Sequence, residues 1–213
     1  MRINLLCSRR NLPENLFQER KSERWAGIDR GALILLEEGI KPCMAIGDFD
    51  SVSERKRDYL ESHLVLNPHK SEKDDTDLAL GVMQAVEEGY TEINIYGATG
   101  GRLDHFMGVL QILEKPEYEA KNIAIQVKDA TNVITYLGHG THNVKRDKAY
   151  QYISFIPVMY PTVISLEHFK YALDHQQLNI GSTLTVSNEL LEPEGQVTLH
   201  YGGVLMIRSR DAK

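Results

Sequence analysis

The sequence predicts an α/β protein, with an N-terminal domain built on a doubly wound, mostly parallel sheet and a C-terminal all-β sandwich. Three observations predict it. Up to about residue 130, short apolar runs alternate with amphipathic stretches, the pattern of βαβ units. Beyond that point the apolar runs are short, β-branched or aromatic, and punctuated by Gly, Pro, Asn and Asp, with no helical period between them. The 213 residues, 42% hydrophobic and 25% charged, match one large or two small soluble domains, each long enough to bury a core.

The first strand is "INLLC" (3–7) and the second "RWAGID" (24–29). "RGALILLEEGI" follows as a helix, with Leu33, Leu36 and Ile40 at helical spacing and Gly39 placed to end it. "CMAI" (43–46) is a strand, "SERKRDYLESH" a charged helix and "LVLN" (64–67) another strand. "DDTDLALGVMQAVEEGY" carries an apolar stripe of Leu78, Val82, Ala85 and Val86, with Gly89 to terminate it. "INIYG" (93–97), a helix from "RLDHFMGVLQILEK", and "IAIQV" (123–127) complete the first series. Seven short strand candidates then follow: "NVITYLG", "THNVK", "YQYISFIPV", "PTVISLEHFKYAL", "STLTVS", "GQVTLHY" and "GVLMIRS". The boundary is expected near "GHG" (138–140), giving domains of residues 1–137 and 138–213.

Composition excludes several classes. A formal net charge of −6 argues against a broad nucleic-acid surface, which is normally basic. No apolar run approaches the roughly 20 residues needed to span a bilayer. "MRINLLCSRRN" has too short an apolar stretch for a secretory signal. Cys7 and Cys43 lie in strand-like contexts without metal-ligand spacing and are expected as buried, reduced thiols, which points to the cytoplasm.

Chemistry concentrates where strands end, because an open parallel sheet binds its ligands beyond the carboxyl ends of its strands. After "WAGI" come Asp29, Arg30 and Gly31; after "CMAI" come Gly47, Asp48, Asp50 and Ser51. After "LVLN" comes "PHKSEKDDTD", with Lys73, Asp74, Asp75 and Asp77; after "INIY" comes "GATGGRLDH", with Thr99, Gly100, Gly101, Arg102 and Asp104. Asp48 and Asp50, two residues apart on extended chain, point to one side and repel unless a cation lies between them. Asp74 and Asp77, at i and i+3, share a helix face, although either could serve only as a cap. Oxygen ligands of this kind suit Mg²⁺, which takes one or two carboxylates with waters and substrate phosphates. His139 and His142 in "GHGTH" are expected to be solvated rather than zinc ligands, and His105 to be a packed helix residue. The "GATGGR" turn offers backbone N–H groups and a helix N-terminus to an anion, and Arg102 can take a phosphate bidentately. It has neither the Walker A nor the dinucleotide glycine pattern. The acids alone also fit a Mg²⁺- or Mn²⁺-dependent phosphoesterase, which leaves the second domain unexplained. A non-catalytic sensor that binds a nucleotide without turnover is disfavoured, because a pure binding site avoids grouped like charges.

With "GDFDS" (47–51), "SEKDDTDLAL" (71–80) and "GATGGRLDH" (97–105) in that order, the chain resembles the thiamine pyrophosphokinase family. "DRGA" (29–32) and "GSTLTVSNE" (181–189) extend the resemblance over nearly the whole length. It implies an ATP-binding α/β domain, a thiamine-binding β-sandwich, and a homodimer with thiamine sites between subunits. The implied reaction is Mg²⁺-dependent transfer of pyrophosphate from ATP to the thiamine hydroxyl, releasing AMP. The resemblance assigns Asp48 and Asp50 to Mg²⁺ and phosphates, with Asp74 and Asp77 completing the acidic rim. Arg102, Gly100 and Gly101 would hold phosphate oxygens, and Asp104 would orient the thiamine hydroxyl or a metal-bound water. Asp29, Arg30, Gly31, Ser51, Lys73 and Thr99 would line the nucleotide. Where some members carry Trp, "FKYAL" (169–173) offers Tyr171 to stack on the pyrimidine, with Ser187 and Asn188 at its edge.

Overall fold

The computed structural model describes residues 1–47, 49, 54–64 and 75–212. It divides into two compact units, Met1–Ala130 and Thr131–Lys213. This division counts "NVITYL" (132–137) with the second unit, whereas the boundary expected at 137 left it with the first.

In the first unit, β1 (Arg2–Leu6), β2 (Trp25–Ile28), β3 (Met44–Ile46), β4 (Glu92–Tyr96) and β5 (Ala124–Lys128) pair in parallel, in the order β3-β2-β1-β4-β5. The described helices are α1 (Leu16–Glu19), α2 (Arg30–Glu37), α3 (Glu54–His63), α4 (Asp77–Glu87), α5 (Leu103–Leu113) and α6 (Pro116–Ala120). The short helices α1 and α6 were not anticipated, since four or five residues carry no readable period. The remainder of "LVLN" beyond Leu64 lies outside the described residues.

Neighbouring residues on a strand face opposite sides, and the sheet is covered on both. Leu6 joins Leu16, Trp25, Ile34, Leu35 and Tyr96 in one core cluster. Leu5 and Ile28 point the other way, against Gly81 of α4; a Cβ at Gly81 would come within 2.4 Å of Ile28 Cδ1. Trp25 is core, with its ring tilted against Tyr96 and its indole N–H donated to the Arg20 carbonyl at 3.0 Å. Gly31 lets the start of α2 lie on the end of β1, for a Cβ there would sit 1.7 Å from the Leu6 carbonyl oxygen. The two thiols differ from expectation. Cys43 is exposed. Cys7 is half-buried, and its thiol is pushed up to about 12 by burial and by the Asp29 carboxylate.

The second unit is antiparallel: β6 (Asn132–Leu137), β7 (Gly140–Lys145), β8 (Tyr152–Glu167), β9 (Leu173–Leu178) and β10 (Glu194–Ser209). One edge of β10 pairs with β8 along its length. Its other edge takes β7 over Glu194–Leu199 and β6 over Val204–Ser209. Register shifts between Leu199 and Val204 mark the bend at which these two 16-residue strands change direction. Val197 and Leu199 from one arm then meet Val204, Met206, Phe155 and Ile164 in a single cluster. The seven short strands expected here are therefore five. Pro161 and the Gly202–Gly203 pair, which read as turn signals, lie inside continuous strands. "STLTVS" forms turns rather than a strand, and β9 ("LDHQQL") is too polar to have been recognised.

Phe155 is fully buried, edge-on to Phe169 at 5.6 Å between ring centroids. Phe155→Ala is expected to destabilise the second unit by roughly 3–5 kcal/mol, read as a lower urea midpoint. An unchanged midpoint would contradict this account of its core.

Candidate active site

In the order β3-β2-β1-β4-β5 the chain runs outward from β1 to β3, then returns to the other side of β1 as β4. The direction reverses between β1 and β4, and the crevice at their carboxyl ends is where a sheet of this kind takes a ligand. Two segments border it, Cys7–Asn11 after β1 and Gly97–Arg102 after β4. "SRRN" (8–11) after β1 and "KDATN" (128–132) at the end of β5 are not among the four strand ends that carry the expected site residues.

These segments are bonded to one another. The Cys7 N–H donates to the Tyr96 carbonyl at 2.9 Å, and the Ser8 hydroxyl to the Gly97 carbonyl at 2.6 Å. The Arg10 N–H donates in turn to Ser8 Oγ at 3.2 Å. The turn itself depends on glycine at position 100, where φ is +73° and a Cβ would meet Asn11 Nδ2 at 2.4 Å. A side chain at Gly101 would collide with the Arg10 guanidinium, 2.3 Å from Nη1. Below the turn, buried Thr99 donates to Asp129 Oδ2 at 2.9 Å, and the Ala130 N–H donates to the Asn11 carbonyl at 2.8 Å. The ends of β1, β4 and β5 thus form one hydrogen-bonded rim. Thr99 spends its hydroxyl on that rim, and Asp129 joins the set as a residue the sequence did not suggest.

Beside it, the ends of β2 and β3 meet. Half-buried Asp29 has φ +48°, and its N–H donates to the Ile46 carbonyl at 2.7 Å. Its carboxylate lies over Gly47, where a Cβ would be 2.1 Å from Oδ1. Arg30 is exposed at the start of α2, and Gly31 is explained by packing on β1. Asp48, Asp50, Ser51, Lys73 and Asp74 lie outside the described residues. Asp77 is half-buried in the first turn of α4. The cap of that helix is Thr76, whose hydroxyl accepts from the Ala79 N–H, so none of the acids weighed for that role takes it. Because α4 begins at Asp77, the helix face expected to join Asp74 and Asp77 does not extend through the described residues.

Arg102 and Asp104 were given separate roles, yet they are paired. The Arg102 guanidinium donates to both carboxylate oxygens of Asp104, at 3.1 and 2.5 Å. Those bonds hold the Asp104 carboxyl down to about 2, well below its ordinary 3.8. His105, expected to be packed, is exposed. No three His, Cys, Asp or Glu side chains among the described residues come together as a metal site. His139 is exposed, and His142 Nε2 lies 2.8 Å from the Gly138 carbonyl.

In the second unit, Asn188 is buried and holds the Tyr171 backbone at both ends. Its amide donates to the Tyr171 carbonyl at 2.9 Å, and its oxygen accepts from the Tyr171 N–H at 3.0 Å. Asn188 therefore positions Tyr171. The Tyr171 ring is exposed, with the Lys170 ammonium 5.6 Å from its centroid. Ser187 adopts φ +59°, and its N–H donates to Ser154 Oγ at 2.9 Å.

Comparison with known proteins finds the same two halves. Residues 17–127 match the thiamin pyrophosphokinase catalytic domain, and residues 141–203 the thiamin pyrophosphokinase vitamin B1 binding domain. The chain is 40% identical over 189 residues to the thiamine pyrophosphokinase of Bacillus subtilis, covering 88% of this chain and 87% of that protein. The crystal structure of the thiamin pyrophosphokinase of Geobacillus thermodenitrificans superposes with a TM-score of 0.87 at 37% identity, covering 100% of this chain and 99% of that one. A family protein from Enterococcus faecalis gives 0.90 at 28% identity, with both chains covered in full.

The Arg102–Asp104 pair makes a titration prediction. The folded-state value of Asp104 is depressed, so the stabilisation it supplies is present above its ordinary 3.8 and is lost as pH falls through about 2. Carboxyl carbon NMR should place the Asp104 midpoint well below that of an exposed aspartate, and Arg102→Gln should return it toward 3.8. An ordinary midpoint in the unsubstituted protein would mean the pair does not form in solution.

Proposed function

The chain belongs to the thiamin pyrophosphokinase family and transfers the pyrophosphoryl group of ATP to thiamine, and from that premise we propose how its residues divide the work. The oxygen of the thiamine hydroxyl bonds to the β-phosphorus while the bond from that phosphorus to the bridging α-oxygen breaks. AMP leaves with that oxygen, and the hydroxyl proton is lost. No covalent intermediate on the protein is needed, so the site must align the two substrates and neutralise charge.

Residues 1–137 bind ATP and residues 138–213 bind thiamine, a division supported by the separate matches to a catalytic and a vitamin B1 binding domain. The observation that carries the nucleotide assignment is the glycine turn Gly97–Arg102 lying at the β1/β4 reversal, with backbone N–H groups and the start of α5 available to phosphate oxygens. Thr99 orders that turn, and Gly100, Gly101 and Arg102 hold phosphate. Asp104 holds the Arg102 guanidinium until phosphate takes its place and then orients the thiamine hydroxyl. Asp29, Arg30, Gly31, Ser51 and Lys73 line the nucleotide. The family implies a divalent metal. The all-oxygen donor set of Asp48, Asp50, Asp74 and Asp77 suits Mg²⁺, which when bound would neutralise phosphate charge.

Tyr171 stacks on the thiamine pyrimidine, with Asn188 fixing its backbone and Ser187 beside it. The working unit is a homodimer with thiamine sites between subunits, and its compartment is the cytoplasm. Among the described residues no helix is long and apolar enough to cross a membrane.

Three outcomes are expected. Incubated with ATP, Mg²⁺ and thiamine, the protein should release AMP only when thiamine is present, in step with thiamine diphosphate; cleavage without thiamine would indicate a phosphoesterase. Asp48→Asn or Asp50→Asn should lower turnover by at least about 100-fold, roughly 2.7 kcal/mol in the barrier, with an unchanged circular dichroism spectrum. Wild-type rates would remove both from metal binding. Tyr171→Ala should raise the KM for thiamine about tenfold, the cost of one lost stacking partner, and leave the KM for ATP unchanged. An unaltered thiamine KM would exclude the stacking role.

A further inference from the structure

We propose that Arg10 is a phosphate-binding residue of this enzyme, holding oxygens of the ATP polyphosphate chain against the Gly100–Gly101 turn. The inference rests on the reading of that turn as the nucleotide site and adds a residue that neither the acids nor the glycine pattern indicates.

Place is the first argument. Arg10 belongs to the loop after β1, one of the two segments that border the reversal of strand order. Its guanidinium lies against the turn from the other segment, and Gly101 has no side chain to keep it away. The loop is held there by Ser8, whose hydroxyl donates to the Gly97 carbonyl and accepts the Arg10 N–H. The cation and the anion-binding turn are therefore fixed side by side, although they come from strands almost ninety positions apart.

Charge is the second argument. Arg9 is committed to Glu37 and Glu38 at 3.3 and 2.6 Å, and Arg102 to Asp104. The Arg10 guanidinium makes no ion pair or side-chain hydrogen bond with the described residues. It is exposed, and laying a long flexible side chain along a backbone turn costs conformational entropy that no carboxylate among the described residues offsets. A phosphate chain would offset it, because the planar fork of guanidinium donors matches two phosphate oxygens at once. Arg10 would thus meet the substrate without first releasing a partner among the described residues, whereas Arg102 must exchange Asp104 for phosphate.

The test compares Arg10→Gln, Arg10→Lys and, as a neighbouring control, Arg9→Gln in the full chain. Steady-state rates give the KM for each substrate, and calorimetry gives the affinity for ATP and for adenosine, which lacks the phosphates. Arg10→Gln is expected to raise the KM for ATP about tenfold or more and to weaken ATP binding equally. It should leave the thiamine KM and adenosine binding within twofold of the unsubstituted protein. Arg10→Lys should recover part of the loss, and Arg9→Gln should change nothing. An ATP affinity within twofold in Arg10→Gln would overturn the proposal, as would an equal weakening of ATP and adenosine, which would reduce Arg10 to a scaffold for its loop. Failure of the underlying reading looks different, because Arg102→Gln on the same turn would then also leave ATP binding unchanged.

Discussion

The site depends on one close approach, that of the chain leaving β4 to the chain leaving β1. At Gly97 a Cβ would lie 2.1 Å from the Ser8 carbonyl oxygen, and the φ of +71° disfavours any other residue. Only because that position is bare can Ser8 reach the Gly97 carbonyl, and only then does Ser8 hold the Arg10 N–H. The Thr99–Asp129 and Ala130–Asn11 bonds extend the same linkage to β5. A parallel sheet otherwise leaves its strand-end loops independent of one another. Here three of them are bonded together, so the backbone donors of the turn hold fixed directions before any ligand arrives, which is what electrostatic stabilisation of a transferring phosphoryl group requires.

The second unit uses the same principle with a side chain in place of a bare position. Asn188 is 2% exposed and grips both backbone groups of Tyr171, while a further bond to its oxygen comes from the Glu189 N–H. A buried amide satisfied on both sides is rigid, because losing any one bond leaves a polar group unpaired. The aromatic ring it supports stays exposed. A flat ring on a fixed backbone would lose little further entropy on stacking, so in the proposed thiamine site the buried asparagine would act through its neighbour.

Much of the first unit was legible because its helices are long enough to carry a period and its strands are buried apolar runs; α4, with its apolar stripe ended by Gly89, is the clearest case. The second unit was less so, and for a physical reason. Pro161 and Gly202 normally end strands, but β8 and β10 bend around a core, and a bend admits the residues that a straight strand excludes. Among site residues, the glycine turn and Arg102 could be found from local pattern. Arg10, Asp129 and the positioning role of Asn188 could not, since each acts through a partner between 17 and 91 positions away that only the fold supplies. "SRRN" (8–11) is harder still to read, because an arginine gains a place at a phosphate site only when topology brings it to the turn.

Charge is the remaining problem, since a chain with a net charge of −6 must bind a polyanion. The pairing of Arg102 with Asp104 bears on this. Both side chains are largely exposed, at 71% and 63%, so the pair is screened by water and adds little to stability. Its consequence is geometric. Asp104 keeps the guanidinium folded back on its own helix start, and the carboxylate remains ionised at any pH at which the protein would work. Phosphate must therefore displace or share a carboxylate at Arg102, which gives a graded rather than an unconditional attraction for anions. Under the proposals above, Arg10 along the turn would supply the first hold, and a divalent cation accompanying the nucleotide would offset the charge of the acids assigned to it. On that proposal the site would select a metal-bound phosphate chain over a bare anion, because the arginines and the carboxylates would each need the other's counter-charge.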